Sequence, residues 1–132
     1  MVIVPGSKNT ISDLLWMRQN GLEAAVLKQA AAGKLIFGVC GGYQMLGETL
    51  SDPLGIEASG TVRGMGLLPV DTVFLEEKTR TRVEGKFLCS GLLQPLADLA
   101  GRPVEGYEIH MGQSSLRKGG GGQPLTLSLI HI

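Results

Sequence analysis

A cysteine bracketed by glycines constrains this chain more than any other feature. The segment LIFGVCGGYQMLG runs from a short apolar stretch through Gly38, Cys40 and Gly42 into a stretch that favours a helix. We predict a strand buried on both faces over residues 34–39 and a helix over residues 43–49. Glycines two positions before and two positions after the cysteine avoid a collision between those positions on a sharp bend. The pattern therefore predicts a nucleophile elbow with the cysteine at its tip.

The segments before this bend indicate an α/β fold. Residues 1–5 are apolar and end at a proline, as in a buried strand, and residues 22–32 form an alanine-rich helix that a glycine ends. An earlier helix is expected to start at a cap formed by Thr10, with Asp13 completing a capping box. Strands that alternate with helices pair in parallel through right-handed crossovers. We therefore expect a flavodoxin-like parallel or mixed sheet, flanked by helices on both faces.

After Pro53 the pattern changes to extended segments. The predicted elements there are strands over residues 64–76, 79–88 and 106–111 and a short helix over residues 92–99. Residues 118–132 contain four consecutive glycines and end in LSLIHI, which resembles a translated sequencing adapter. We therefore expect one partial domain over residues 1–117 and a non-native or disordered tail after it, and we assign no role to His131. A glycine linker followed by an edge strand is the alternative for this tail.

Composition narrows the class of function. The 132 residues suit one domain, and 12 basic and 12 acidic residues give a net charge of zero. This balance gives no sign of nucleic acid or of an anionic membrane surface as a partner. No apolar run reaches the roughly 18–20 residues of a spanning helix, and no signal-peptide pattern opens the sequence. Two cysteines do not make a disulfide framework, so we expect a cytoplasmic location.

The predicted elbow would prepare the Cys40 sulfur for nucleophilic attack. The sulfur would point out from the carboxyl end of the sheet, at the amino end of a helix whose dipole favours a thiolate. An oxyanion on the attacked carbonyl would meet the backbone N–H of Gly41 and a second N–H from Gly6 or Ser7. A glycine-rich turn around an ordinary buried cysteine is the alternative. A phosphate loop in GSKNT is disfavoured because the residue after Lys8 is asparagine.

Four segments together resemble the glutaminase domain of the cobyric acid synthase family, the glutamine-dependent amidases of cobalamin biosynthesis. They are, in order, VIVPGSKNTISDLLWMRQNGL, GVCGGYQMLG, GLLPVDTVF and GYEIHMG, and the resemblance covers about residues 2–115. GVCGGYQ is shared with other class I glutamine amidotransferases. PGSKNT followed by DLLWMR, together with GYEIHMG, singles out this family.

The resemblance implies a glutaminase that serves a ligase. Cys40 would attack the side-chain amide of glutamine and form a thioester as ammonia leaves, while Gly41 and the Gly6–Ser7 turn hold the oxyanion. Gln44 would be a possible substrate contact, and this segment would need neither a metal nor a cofactor. A preceding ATP-dependent synthetase domain, absent from this sequence, would use ATP and Mg²⁺ to amidate adenosylcobyrinic acid a,c-diamide. The corrin would therefore be an acceptor substrate.

The sequence also departs from the family. The resemblance places the catalytic histidine in a later segment of the kind TYLHG, so we expect a domain incomplete at its C-terminus with little or no glutaminase turnover of its own. We expect His110 to be a structural residue near the rim of the site, and Glu108 a local hydrogen-bond partner. One alternative is a glutaminase subunit that amidates a peptidoglycan lipid precursor, against which GYEIHMG argues. Another is a flavodoxin-like domain with a reactive cysteine and no amide chemistry.

Overall fold

The computed structural model describes residues 1–57, 60–88, 96–121 and 126–131, the last range as backbone. The chain divides into two compact units: the first unit comprises residues 1–77 and 111–122, and the second unit residues 78–110 and 123–132. The elements are, in chain order, β1 (Val2–Val4), α1 (Thr10–Gln19), α2 (Leu22–Ala31), β2 (Ile36–Gly38), α3 (Gly41–Met45), β3 (Thr49–Asp52), β4 (Gly60–Arg63), β5 (Val70–Phe87), a 3-10 helix (Leu96–Leu99), β6 (Pro103–Leu116) and β7 (Thr126–His131).

The strands form one parallel ladder and one mixed sheet. β1 and β2 pair in parallel, with Val2 opposite Ile36 and Val4 opposite Gly38. In the other sheet the strand order is β4-β3-β5-β6, where β3 is antiparallel to β4 and parallel to β5. Helices α2 and α3 contact β2. The predicted α/β class, with parallel and mixed pairing and flanking helices, is therefore confirmed.

The hydrophobic core lies in the first unit. Apolar side chains from both sheets meet those of all three α-helices there. The buried members are Val4, Ile11, Leu14, Val26, Met45, Leu46, Leu50, Met65 and Phe74. Because this core takes residues from β1, α1 and α3, it holds together the elements that surround Cys40.

The start of α1 differs from its prediction. Thr10 is the first helical residue, not the cap, and the preceding Asn9 makes no side-chain capping hydrogen bond. The predicted capping box is wrong because the Asp13 carboxylate instead accepts a hydrogen bond from the hydroxyl of Ser7. Gly33 follows α2 at φ 74°, in the left-handed region that a glycine after a helix commonly adopts. That predicted stop is confirmed.

Strand β2 is not buried on both faces, as the sequence had suggested. Its middle residue, Phe37, is 38% exposed, and the cross-strand neighbour Ile3 is 55% exposed. Side chains alternate between the two faces of a strand, so Ile3 and Phe37 share one face while Val4, which is 2% exposed, occupies the other. The apolar run of β2 thus contributes to the core from one face.

Helix α3 is shorter than predicted and starts earlier. It covers Gly41–Met45, and by Thr49 the chain is already in β3. The backbone N–H of Glu48 donates to the carbonyl of Val70 at 2.8 Å, so pairing with a neighbouring segment replaces the next helical turn. This competing partner lies 22 residues along the chain, beyond the reach of local helix propensity.

The later elements are longer strands than predicted. The two extended segments expected over residues 64–76 and 79–88 join into β5, which begins only at Val70. The strand expected over residues 106–111 is the middle of β6. Of the helix expected over residues 92–99, a 3-10 helix covers Leu96–Leu99, and residues 92–95 lie outside the described part of the chain.

The segment after Arg117 continues in defined structure. The N–H of Gly120 donates to the carbonyl of Arg117 at 2.9 Å, and a Cβ at Gly120 would lie 2.7 Å from the Cβ of Pro69. In the second unit β7 pairs antiparallel with β5, with Phe87 opposite Thr126. The non-native origin of residues 118–132 stays a prediction. Within the described residues, no helix is long and apolar enough to cross a membrane.

Candidate active site

Cys40 lies at the bend between β2 and α3. Its backbone has φ 49° and ψ −112°, and among the described residues it is the sole non-glycine with a positive φ. A Cβ crowds the backbone in this region, which costs about 1–3 kcal/mol and persists only where surrounding structure imposes it. The residue is exposed despite this constraint. A strained and accessible cysteine between a strand and a helix is the geometry that the elbow pattern predicts.

Gly38 and Gly42 are both sterically required, although each by a different neighbour. A Cβ on Gly38 would lie 2.7 Å from the backbone N of Tyr43, and a Cβ on Gly42 would lie 2.0 Å from the carbonyl oxygen of Val4. The sequence analysis expected these two positions to collide with each other, and that collision stays a prediction. Gly38 lets the start of α3 lie over β2, and Gly42 lets the end of β1 lie against α3.

The turn after β1 lies beside the elbow. A Cβ on Gly6 would lie 3.5 Å from the Cβ of Cys40, and a Cβ on Gly41 would lie 2.9 Å from the backbone N of Ser7. The parallel register of β1 and β2 explains this, because both strands end at the same edge. The structure thus brings together the four residues placed there from the sequence. Their roles in catalysis stay predictions.

Three backbone N–H groups in this corner are available for a ligand. Within the described part of the chain, no residue accepts a hydrogen bond from the N–H of Gly6, Ser7 or Gly41. By contrast, the next N–H, that of Gly42, donates to the carbonyl of Val39 at 2.9 Å. An N–H that lacks a protein acceptor can donate to an oxyanion without first breaking another hydrogen bond.

The hydroxyl of Ser7 is already used within the turn. It donates to the carboxylate of Asp13 and accepts from the N–H of Asn9 at 2.9 Å. These bonds fasten the turn to the first residues of α1. Because its hydroxyl is engaged in this way, Ser7 offers its backbone N–H as the donor at the elbow.

Gln44 is buried, with 6% of its surface exposed. Its Nε2 atom lies 2.7 Å from the position that a Cβ on Gly112 would occupy, so the glycine in β6 makes room for this amide. The burial supports a packing role for Gln44, and its contact with substrate stays a prediction. The sequence analysis missed Gly112 as the packing partner, although it is the last residue of GYEIHMG.

Two carboxylates that the sequence analysis missed support the start of α1. Glu57 accepts a hydrogen bond from the N–H of Ile11 at 3.3 Å, and its carboxylate also interacts with the N–H and hydroxyl of Thr10. Asp52 is 0% exposed and accepts from the N–H groups of Ile56 at 2.9 Å and Glu57 at 2.7 Å. The sequence feature that could have revealed them is a pair of acidic residues five positions apart, with a proline and a glycine between them.

The environment of Glu57 raises the pKa of its carboxyl. Burial raises the pKa of this carboxyl, and the neighbouring negative charge of Asp52 raises it further. The hydrogen bonds from Thr10 and Ile11 act in the opposite direction, because they stabilise the ionised form. The carboxylate that caps α1 is therefore held in place by donors that offset part of the cost of its burial.

His110 and Glu108 contact each other in the second unit. The Nε2 of His110 lies 2.7 Å from Oε1 of Glu108. The two residues are separated by one position in β6, so their side chains lie on the same face of the strand. The expectation that Glu108 is a local hydrogen-bond partner is confirmed.

The sequence of this chain matches a known protein family. The sequence profile of the CobB/CobQ-like glutamine amidotransferase domain matches residues 1–125. The chain belongs to this family. The resemblance inferred from the four sequence segments is therefore confirmed.

Cobyric acid synthases are similar to the amidotransferase domain formed by this chain. The enzyme from Ruminiclostridium cellulolyticum is 52% identical over 132 residues, which are 100% of this chain and 25% of that protein. The enzyme from Lachnoclostridium phytofermentans is 51% identical over 115 residues, 87% of this chain and 22% of that protein. The enzyme from Moorella thermoacetica is 49% identical over 120 residues, 90% of this chain and 23% of that protein. The chain thus spans about a quarter of the length of these curated relatives, and they favour neither alternative function.

Proposed function

We propose that this amidotransferase domain is the glutaminase part of a cobyric acid synthase and that Cys40 is its nucleophile. One observation carries the proposal: the strained, exposed Cys40 lies against a turn in which the N–H groups of Gly6 and Ser7 have no acceptor among the described residues. Glutamine hydrolysis requires a nucleophile and oxyanion donors at one place, and this corner of the first unit supplies both kinds of group.

The reaction follows from these groups. The Cys40 thiolate attacks the side-chain amide carbon of glutamine, and the electron pair of the carbonyl moves to its oxygen. N–H groups of Gly41 and the Gly6–Ser7 turn hold that oxyanion. Its collapse breaks the carbon–nitrogen bond, and the nitrogen takes a proton and leaves as ammonia. Water then attacks the thioester, the carbon–sulfur bond breaks, and glutamate and the thiol are released.

The proton transfers need a base beyond these residues. The family resemblance places that histidine in a TYLHG-like segment that this sequence does not contain. We therefore expect the chain alone to form the covalent bond with a reactive glutamine analogue but to hydrolyse little glutamine. Loss of one oxyanion donor would slow the complete reaction by about 10²–10³.

The use of the ammonia is proposed from the relatives. This chain matches a quarter or less of the length of the cobyric acid synthases. We propose that an ATP-dependent synthetase domain, with ATP and Mg²⁺, activates carboxylates of adenosylcobyrinic acid a,c-diamide for amidation. Glutamine and this corrin would be the two substrates.

A labelling experiment tests the nucleophile. In a Cys89→Ser background, which leaves one thiol, the chain is treated with a glutamine chloroketone or with iodoacetamide, and adducts are followed by mass spectrometry. With glutathione as the reference thiol, we expect the preference of Cys40 for the chloroketone to be at least about tenfold greater, because an oxyanion forms only on that reagent's ketone. The matched control, Cys40→Ser with Cys89 retained, should show no such preference.

Two results would contradict this proposal. Equal preference of Cys40 and glutathione for the chloroketone would contradict the proposed role of the oxyanion donors. Hydrolysis of glutamine at rates usual for enzymes, about 1–10³ s⁻¹, would show that the chain already contains its base.

A further inference from the structure

The start of α1 receives its hydrogen-bond acceptor from a distant residue. The N–H groups in the first turn of a helix have no partners within that helix. Asn9, the residue at the cap position, forms no side-chain bond to them. Glu57, 46 positions after Ile11, instead accepts from the N–H of Ile11 at 3.3 Å and interacts with Thr10. A carboxylate at this end also interacts favourably with the helix dipole.

Glu57 is itself held by a buried carboxylate. Both oxygens of Asp52 are engaged, one by the N–H of Ile56 at 2.9 Å and the other by the N–H of Glu57 at 2.7 Å. Asp52 is fully buried at the end of β3, a strand whose Leu50 belongs to the core. The backbone of Glu57 is therefore tied through Asp52 to the core of the first unit.

The start of α1 is in turn joined to the turn that faces the elbow. Thr10, which is 1% exposed, places its hydroxyl oxygen 3.0 Å from the position of a Cβ on Gly41. Ser7 bonds to Asp13 in the first turn of the same helix, and its backbone N lies 2.9 Å from that same Cβ position. A displacement of the first turn of α1 would thus move the N–H of Ser7 relative to Gly41.

From these contacts we infer that Glu57, held by Asp52, is a positioning residue of the glutaminase site. It fixes the start of α1 and through it the distance between the N–H of Ser7 and that of Gly41. We assign it a positioning role and no direct role in the reaction. The inference rests on the proposed function for its consequence in catalysis, whereas the positioning itself depends only on the contacts described.

The experiment uses the full chain with Cys89→Ser. Glu57→Ala removes the acceptor, and we expect it to slow labelling of Cys40 by the glutamine chloroketone by roughly tenfold, because small displacements of catalytic groups have large effects on rate. Labelling by iodoacetamide, which forms no oxyanion, should change by less than about twofold. Glu57→Gln keeps one acceptor oxygen but replaces the other by an NH₂ donor, so we expect a smaller loss of about threefold. Glu76→Ala removes an exposed carboxylate of the same unit and is the matched control, with no expected change.

Amide hydrogen exchange provides a readout that does not depend on the chemistry of Cys40. Exchange at Thr10 and Ile11 should be about tenfold faster in Glu57→Ala than in the parent chain. Without the acceptor, the first turn of α1 opens locally more often. If wild-type Cys40 shows no preference for the chloroketone, the proposed function fails while exchange still tests the positioning. Unchanged exchange, or equal slowing with both reagents, would overturn the inference. Should Glu57→Ala not fold, Glu57→Gln decides, and it contradicts the inference if both its exchange and its labelling match the parent.

Discussion

The two units of this chain differ in what stabilises them. The buried residues described in this chain all belong to the first unit, and in the second unit residues 78–88 and 96–110 are all at least partly exposed. Strand β5 shows the difference within one element. Val70, Thr72 and Phe74 are 7%, 0% and 2% exposed, whereas no described residue of β5 after Glu77 is buried. Alternation builds a core only where apolar or small side chains alternate on a face that other elements cover.

The second unit relies on backbone pairing and exposed ion pairs. Arg82 contacts Glu84 and Glu105, and the three side chains are 42%, 40% and 64% exposed. Such pairs contribute about 0–1 kcal/mol because water screens them. The elements that surround Cys40 are therefore held by the buried core of the first unit.

The largest expected effect compares two aromatic residues. Phe74→Ala in the first unit should lower the free energy of unfolding by about 4 kcal/mol, since it empties a space in the core. Tyr107→Ala in the second unit, at a side chain 73% exposed, should change it by less than about 0.5 kcal/mol. Urea unfolding followed by far-ultraviolet circular dichroism measures both. Similar losses of unfolding free energy in the two variants would contradict the conclusion that only the first unit has a buried core among the described residues.

The next comparison concerns two glycines. Gly42→Ala forces a Cβ to within 2.0 Å of the Val4 carbonyl, so we expect a loss of about 3 kcal/mol and slower labelling of Cys40. Gly106→Ala brings its new Cβ within 4 Å of no atom in the described ranges beyond its chain neighbours, and should be nearly neutral. Thermal unfolding and chloroketone labelling report the two effects. A stable Gly42→Ala chain with unchanged labelling would show that the close approach of β1 is dispensable.

The smallest expected effect concerns charge. Hydrogen bonds from Arg117 and Thr49 lower the pKa of Asp71 below 3.8, its ordinary value. A carboxyl whose pKa is lower in the folded state adds stability above its ordinary pKa, and that stability is lost as the pH falls through the lowered value. Between about pH 5 and pH 2, wild type should therefore lose more stability than Arg117→Met.

An arginine in an ion pair of the second unit, Arg82, provides the comparison for this test. Arg82→Met should change the free energy of unfolding by about 0.5 kcal/mol or less at neutral pH. Urea titrations across the acid range compare both variants with wild type. An acid dependence of Arg117→Met that matches wild type would show that solvent screens the Asp71–Arg117 pair completely.

Local chemistry made parts of the site predictable. Gly38, Cys40 and Gly42 could be interpreted because an elbow restricts backbone angles within a few residues. The position of the Gly6–Ser7 turn followed from parallel pairing, which places strand ends at one edge. The exposed face of Phe37 and the early end of α3 were missed, because each depends on what packs beside the segment.

The amino-acid sequence by itself determined the order of strands and helices up to α3, the elbow and the family of this chain. These properties depend on residues close together in the chain, where sterics and hydrophobic period act directly. Only the tertiary structure decided that Gly42 is required by the Val4 carbonyl and that Glu57 caps α1. Such contacts join residues far apart in sequence, so they exist only once the core of the first unit has brought them together.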